Sequence, residues 1–291
     1  MTANRLLSFY GLKWNPFAPD VPTEALLSTP PIDHFGWRVE HLVSEGGFAL
    51  ISGDSGTGKS AVLRLVAHRL SQLSDVVVGV VSRPQSGVSD SYRELGELFG
   101  LNLSPRNRWG GFKALRERWK AHVDSTLLRP VLLIDEAQQM APAVLSELRM
   151  LASGHFDTVS YLTVVLCGDG RLTDLFRHED LVPLASRIRT RLFMEYASRE
   201  QLMTLLKHAV TQAGNANLMT EPLMQTLCEH AAGNCRLLMA MAGELLMEGL
   251  AREQAKLDEK LYLQVFQVPS GADQRKGKHR NSPQPAIGVT Q

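Results

Sequence analysis

A glycine-rich stretch between a strand-like and a helix-like segment constrains this chain more than any other feature. Its fixed positions fit the pattern G-x-x-x-x-G-K-[ST], which is typical of a loop that binds phosphate. Glycines allow backbone N–H groups to approach a phosphate closely, and the helix N-terminus that follows favours an anion. We therefore expect a nucleotide-binding α/β fold in which the whole loop contacts the nucleotide: Gly53, Asp54, Ser55, Gly56, Thr57, Gly58, Lys59 and Ser60.

The last two residues of this phosphate loop, which spans residues 53–60, have more specific predicted roles. Lys59 would reach the β- and γ-phosphates of the nucleotide. The Ser60 hydroxyl would be a ligand of Mg²⁺, a hard cation that prefers oxygen. The motif thus predicts ATP and Mg²⁺ as cofactors.

Two adjacent carboxylates, Asp135 and Glu136, follow a second apolar run, residues 131–134. A continuous apolar run is typical of a strand that is buried on both faces of a parallel sheet. Ligands bind at the carboxyl ends of such strands, so this pair should lie beside the phosphates. Asp135 is the predicted partner of Mg²⁺, directly or through water, and Glu136 is the predicted base that polarises an attacking water.

The rest of the chain predicts an α/β base followed by a helical lid. Five strand-like runs alternate with amphipathic helices, which favours a P-loop NTPase fold with a parallel five-stranded sheet. Ser198 and Gln201 form a capping box that begins a helix, and only helices are predicted beyond it. The predicted ranges are 1–31 for an extended N-terminal wrap broken by prolines, 32–196 for the α/β base, 197–268 for the all-helical lid and 269–291 for a disordered basic tail.

Bulk composition favours a globular cytoplasmic protein. Hydrophobic residues make up 44% of the chain, and 31 Lys and Arg balance 30 Asp and Glu, so a nucleic-acid contact would need local clusters of charge. Three irregularly spaced cysteines suggest reduced thiols without a disulfide or zinc. The absence of a signal peptide and of an apolar run long enough to span a bilayer predicts no membrane partner. The basic residues with a candidate DNA role are Arg83, Lys113, Arg116 and Lys120, although a basic helix face such as the one that carries the last three is more often a solvated face than a DNA-binding one.

Two further residues, Arg236 and Asp169, are predicted to lie close to the γ-phosphate. Gly233 and Asn234 end one lid helix and can cap the next, which puts Arg236 in a first turn where a cation opposes the helix dipole. A phosphate would explain that arginine, and so would an ordinary surface position. Asp169 follows the fourth strand, beside the acidic pair.

Taken together, these motifs resemble the AAA+ ATPases, and more narrowly the ExeA-type ATPases and the transposition helper ATPases of the TnsC, TniB and MuB kind. The narrower resemblance rests on three phrases: Tyr10-Gly11-Leu12 with Pro16-Phe17, Gly168-Asp-Gly-Arg-Leu172 and Gly233-Asn-Cys-Arg236. It implies that Arg187 is the arginine finger offered to a neighbouring subunit, with Arg189 or Arg191 next in line, and that Arg236 is the sensor-2 arginine. Asp169 departs from the pattern, because relatives usually carry Gln, Asn or Thr at the sensor-1 position and an acid there would repel the γ-phosphate unless it is protonated or turned toward a cation.

The resemblance also implies a function. It predicts Mg²⁺-dependent hydrolysis of ATP to ADP and phosphate by a homo-oligomeric ring or helical filament. This oligomer would assemble on double-stranded DNA and direct a transposase or recombinase during DNA transposition. The alternative is an ExeA-type ATPase of a secretion apparatus. We expect this alternative to be weaker, because such ATPases carry a membrane segment and a further domain after the lid, where this sequence continues into a polar tail.

Overall fold

The computed structural model describes residues 2–104, 107–125 and 128–266, so the predicted disordered tail at 269–291 lies outside the described residues. The base consists of α2 to α8 and β1 to β7, and the lid consists of α9 to α12. The elements in chain order are α1 (Thr2–Tyr10), α2 (Pro30–Glu45), β1 (Gly47–Gly53), α3 (Lys59–Ser71), β2 (Val76–Val81), α4 (Val88–Leu98), α5 (Arg108–Asp124), β3 (Arg129–Ile134), α6 (Pro142–Ala152), β4 (Ser153–Gly154), β5 (Val159–Ser160), β6 (Thr163–Gly168), α7 (Gly170–Leu175), α8 (Val182–Ala185), β7 (Ile188–Met194), α9 (Arg199–Gln212), α10 (Glu221–Ala231), α11 (Cys235–Ala251) and α12 (Glu259–Phe266). Within the described ranges, no helix combines the length and the apolar character that a membrane span requires.

Five parallel strands form the main sheet, in the order β2-β3-β6-β1-β7. This sheet and its flanking helices confirm the predicted AAA-type P-loop NTPase fold. Strands β1 and β3 are neighbours of β6 on opposite sides, and Leu50 and Ile134 both pair with Leu166. The carboxyl ends of these three strands therefore lie together at one edge of the sheet.

Helices cover both faces of the sheet, which explains why its central strands are apolar throughout. Along β1, Phe48 and Leu50 face the core formed with α4 to α8, whereas Ala49 and Ile51 face the core formed with α2 and α3. The edge strand β7 instead alternates buried and exposed residues. This alternation places Arg189 and Arg191 on its exposed face.

The lid has a third core of its own, and the N-terminal segment is part of it. The expectation of an extended wrap is wrong for Thr2–Tyr10, which is α-helical. Leu6 and Tyr10, four residues apart on one face of α1, are buried in the lid core, as is Phe17. The Tyr10 carbonyl accepts a hydrogen bond of 2.8 Å from the Asn215 side chain, and burial raises the pKa of the Tyr10 hydroxyl to about 12. Helix α1 and Phe17 thus complete the lid core.

Candidate nucleotide-binding site

The phosphate loop connects the carboxyl end of β1 to the N-terminus of α3. At Gly53 a Cβ atom would lie 2.1 Å from the Met194 carbonyl oxygen of the neighbouring β7, so only glycine fits at this position. Gly58, the N-cap of α3, has a left-handed backbone with φ of 96° and open space beside it. The helix therefore presents its free N–H groups next to a loop without side-chain obstruction, the arrangement that an anion requires.

Lys59 is buried, with 8% of its surface exposed, and its ammonium group lies inside the loop. It donates a 2.8 Å hydrogen bond to the Asp54 carbonyl, and the Thr57 hydroxyl donates to the same oxygen at 2.9 Å. A buried cation held over the loop by one carbonyl can exchange that bond for phosphate oxygens.

The two carboxylates lie where β3 ends, one strand away from the phosphate loop. Glu136 has a left-handed backbone with φ of 52°, which is uncommon for a residue with a side chain. Its N–H donates to Asp135 Oδ1 at 2.9 Å. This turn directs the main chain away from the sheet directly after the acidic pair, and both side chains remain half-buried.

The electrostatic surroundings of Cys167, a buried residue near the end of β6, show that the loop lysine and both carboxylates converge. Burial raises the pKa of the Cys167 thiol, and the charges of Asp135 and Glu136 raise it further, whereas the Lys59 ammonium group opposes them. Asp135 is also close enough to form a hydrogen bond with the thiol. Together with the strand order, this places the three predicted site residues near Cys167 at one edge of the sheet.

The donor set at this point suits Mg²⁺. Ser60 offers a hydroxyl oxygen from the first turn of α3 and Asp135 offers carboxylate oxygens from the end of β3. Magnesium is held by oxygen ligands and is usually bound through one or two carboxylates plus phosphates. Ser60 and Asp135 therefore fit the ion as its protein ligands.

Asp169 is turned toward a cation. It is the N-cap of α7, where it accepts a hydrogen bond of 3.0 Å from the Arg171 N–H, and both of its oxygens also accept from the Arg171 guanidinium group. These hydrogen bonds lower the pKa of Asp169, and the positive charge of Lys59 contributes in the same direction. The negative charge of Asp169 is therefore balanced by the Arg171 guanidinium group. An acid at this position was expected to be either protonated or turned toward a cation, and Asp169 is turned toward a cation.

Sequence reasoning missed Gln138, which connects Glu136 to Asp169. Its side-chain amide donates to Glu136 Oε2 at 2.5 Å and accepts from the Asp169 N–H at 3.3 Å. The only signal in the sequence is an amide side chain two residues after the predicted base. Nothing in the local pattern distinguishes it from Gln139, which is exposed.

The lid contacts the phosphate loop through the start of α11. Asn234 caps that helix, as expected, by accepting from the Leu237 N–H at 3.0 Å, and its amide donates to the Ser55 carbonyl at 3.5 Å. Arg236 lies in the first turn, and its guanidinium group donates to the Ser55 hydroxyl at 3.3 Å. The predicted sensor-2 arginine is therefore next to the loop that would hold the phosphates.

The three arginines before the lid have different partners. Arg187 follows α8 and forms an ion pair with Asp157, which lies between β4 and β5, as well as a hydrogen bond to the Pro183 carbonyl. Arg189 pairs with Glu45, and Arg191 donates to the Ala185 carbonyl at 3.1 Å. Within the described residues, none of these contacts involves the phosphate loop of the same chain.

The candidate DNA contacts do not form one free basic surface. On α5, Lys113 lies 3.8 Å from Glu117, and the Arg116 guanidinium group stacks on the rings of Phe112 and Tyr161 at 5.3 and 5.8 Å. Lys120 is exposed on the same helix, and Arg83 is exposed in the loop after β2.

The fold is that of an AAA-type P-loop NTPase. Residues 41–176 match the family model of the AAA domain, so the matched region includes the phosphate loop, both carboxylates and Asp169. The chain is also 28% identical over 257 residues to General secretion pathway protein A of Aeromonas hydrophila, an alignment that covers 86% of this chain and 46% of that protein. The chain thus spans about half the length of that relative.

Solved structures with the same fold include proteins that act on DNA. The ORC2 protein of Aeropyrum pernix, in ADPNP and ADP complexes, aligns with a TM-score of 0.67 and 16% identity over 85% of this chain and 69% of that one. The ORC1 protein of Aeropyrum pernix in complex with DNA aligns with a TM-score of 0.63 and 20% identity over 85% and 67% of the two chains. The RuvB Holliday junction branch migration motor of Thermotoga maritima has a TM-score of 0.58 and 15% identity over 86% and 72%. At these identities the similarity concerns the fold.

Proposed function

We propose that this protein is a Mg²⁺-dependent ATPase whose nucleotide state controls its assembly. The observation that carries this proposal is the convergence of Lys59, Asp135 and Glu136 at one edge of the sheet, where the lid also contacts the phosphate loop. A site to which both base and lid contribute can transmit the presence of a γ-phosphate from one to the other.

Each residue has a defined task in hydrolysis. Lys59 and the N–H groups of the phosphate loop bind the β- and γ-phosphates, and Arg236 approaches the γ-phosphate from the lid. Ser60 and Asp135 would hold Mg²⁺, which would neutralise charge at these phosphates. Glu136 accepts a proton from the attacking water as the water adds to the γ-phosphorus and the bond to the β-phosphate oxygen breaks. Arg187 of a neighbouring subunit stabilises the charge that develops, so turnover depends on assembly.

We further propose that the ATPase serves a protein secretion apparatus. Support comes from the similarity to General secretion pathway protein A, which extends over 86% of this chain and includes the lid as well as the AAA domain. This finding favours the alternative from the sequence over DNA transposition. The transposase partner rests on the resemblance of short phrases alone.

Assembly on double-stranded DNA is the second candidate. One observation favours it: Arg83 and Lys120 are exposed and form no ion pair with any described residue, so they are available for phosphate contacts. Lys113 and Arg116 would first have to leave Glu117 and the two aromatic rings. Binding of this type would weaken steeply as salt rises.

The Glu136→Gln variant tests the ATPase proposal, because it retains the shape of the side chain and removes its basicity. We expect turnover to fall by roughly 100-fold or more, with ATP still bound and the assembly persistent. Assembly is measured by light scattering during ATP addition. The exposed Glu200→Gln substitution in the lid is the control and should behave as wild type.

The Glu136→Gln variant, which is expected to keep ATP bound, also distinguishes a role in secretion from a role on DNA. Purified from its native host after crosslinking, it should retain components of a secretion apparatus, and it should not bind a DNA duplex in vitro at moderate salt. Retention of a recombinase together with salt-sensitive duplex binding would reverse that assignment in favour of DNA. Normal turnover in Glu136→Gln would contradict the ATPase proposal itself.

A further inference from the structure

We propose that Gln138 is a positioning residue for hydrolysis, holding the carboxylate of Glu136 in the orientation that accepts a proton from water. This inference rests on the proposed function, because it acts through Glu136. Gln138 lies in the short 3-10 turn Ala137–Gln139 that follows the acidic pair, and its side chain is half-buried.

The two hydrogen bonds of Gln138 fix which way its amide points. The Glu136 carboxylate only accepts, at 2.5 Å from Nε2, and the Asp169 N–H only donates, at 3.3 Å from Oε1. A flipped amide would place two acceptors together at one end and two donors together at the other. The network itself therefore assigns the nitrogen to Glu136.

Gly168 provides the room for this side chain. A Cβ atom at this position, the last residue of β6, would lie 2.6 Å from Gln138 Oε1 and 2.9 Å from Leu172 Cδ2. Such distances are too short for a real Cβ atom, so any other residue at 168 would displace the amide or α7. The absence of a side chain at Gly168 therefore provides the space that the Gln138 amide occupies.

Both ends of the Gln138 bridge are anchored by other contacts. On one side the Glu136 N–H donates to Asp135 Oδ1 at 2.9 Å. On the other side the Asp169 carboxylate caps α7 and pairs with the Arg171 guanidinium group, which keeps the Asp169 amide in place. The Glu136 side chain is consequently tied to the end of a central strand, and one of its oxygens, Oε1, accepts no hydrogen bond from a described residue. That oxygen is available for the proton of an attacking water.

The test compares three substitutions at one position of the turn and its neighbour. Gln138→Ala removes both hydrogen bonds. Gln138→Met has nearly the same length and volume, but its side chain neither accepts from the Asp169 N–H nor donates to Glu136. Gln139→Ala, in the same turn, alters an exposed side chain that contacts neither carboxylate and is the matched control.

We expect kcat to fall roughly 10- to 100-fold in both Gln138 variants, because a small misplacement of a catalytic group costs about two orders of magnitude. The affinity for a non-hydrolysable ATP analogue and the melting temperature should stay close to wild type in Gln138→Met, and Gln139→Ala should be unaffected throughout. Nearly wild-type kcat in Gln138→Met with a low kcat in Gln138→Ala would assign Gln138 a purely structural role and overturn the proposal.

A double-variant comparison separates this proposal from the proposed function. If Gln138 acts through Glu136, then Glu136→Gln with Gln138→Ala should be no slower than Glu136→Gln alone. A further loss that multiplies with the first would overturn the positioning role while leaving the ATPase assignment intact. Wild-type turnover in Glu136→Gln alone would instead contradict the base assignment and, with it, the positioning of Glu136.

Discussion

Lys59 illustrates at the residue scale how one buried charge depends on its ligand. Its ammonium group is largely withdrawn from water, and the Asp54 carbonyl is its hydrogen-bond acceptor. A buried cation is costly unless it is paired, so a triphosphate is a much better partner than one carbonyl oxygen. Phosphate binding at Lys59 should therefore stabilise the loop.

We predict that Lys59→Ala loses about 2–3 kcal/mol of ATP binding, because hydrogen bonds to charged groups contribute on that scale, which corresponds to a dissociation constant roughly 100-fold higher. Titration with a fluorescent ATP analogue measures the affinity. The free energy of unfolding without nucleotide should change little, since the Asp54 carbonyl keeps its hydrogen bond from the Thr57 hydroxyl. Unaltered ATP affinity would refute the assignment of residues 53–60 as the phosphate loop.

At the residue scale, the sequence predicted where a residue lies if a motif fixes its spacing, and it did not predict long-range contacts. The phosphate loop and the Asp135-Glu136 pair were predictable, because strand order brings the ends of β1 and β3 to the same edge. The bond between Gln138 and the Asp169 N–H was not, since it joins residues 31 positions apart through a side chain that has no pattern. The orientation of Asp169 toward Arg171 likewise depends on where α7 begins.

At the scale of elements, the N-terminus of α11 couples lid and base. Asn234 caps the helix and also packs on the phosphate loop so closely that a Cβ atom on Gly56 would lie 2.1 Å from its Oδ1. Ser198 caps α9 in the same manner, as part of a capping box, and contacts no described residue of the loop. Both residues thus accept a backbone N–H of the helix they cap, and of the two only Asn234 also hydrogen-bonds to the phosphate loop.

We predict that Asn234→Ala and Ser198→Ala each reduce the free energy of unfolding by about 1 kcal/mol, the usual cost of a lost N-cap. Only Asn234→Ala should also weaken ATP binding, by roughly fivefold, which corresponds to about one further kcal/mol of lost contact between lid and loop. Denaturant unfolding and analogue titration measure the two quantities. An equal loss of ATP affinity in both variants would mean that the lid contact carries no part of nucleotide binding.

Helices and strands were predictable from the sequence where apolar residues follow a regular pattern, and they were less predictable at the edges of the fold. The central strands read as continuous apolar runs, and the parallel sheet follows from their alternation with helices. Strand β7 begins at Ile188, earlier than its apolar residues 192–194 suggest, because exposed arginines interrupt the pattern of an edge strand. Helix α1 was missed because its short apolar stripe precedes a proline-rich stretch and becomes buried only against the distant lid.

At the scale of the whole molecule, the proposed arginine finger, Arg187, makes its polar contacts away from the phosphate loop of its own chain. Arg187 is paired with Asp157 and the Pro183 carbonyl, so serving a neighbouring nucleotide would require exchanging that ion pair for phosphate oxygens. The Asp157–Arg187 pair is partly exposed, and such pairs contribute little to stability. Breaking it to contact phosphate should therefore cost little free energy. A finger of this type links turnover to the formation of the interface.

We predict that Arg187→Ala lowers assembly-stimulated turnover by roughly 10³-fold or more, the usual contribution of an arginine finger, while ATP binding to the single subunit is retained. Mixing it with Lys59→Ala should restore part of the activity, because an intact site of one variant then meets an intact arginine of the other. The control partner, Lys59→Ala combined with Arg187→Ala, brings no arginine and should restore nothing. Steady-state phosphate release measures all mixtures. Normal turnover of Arg187→Ala alone would place the finger elsewhere, with Arg189 and Arg191 as the next residues to test, and restoration by the control partner would exclude action between subunits.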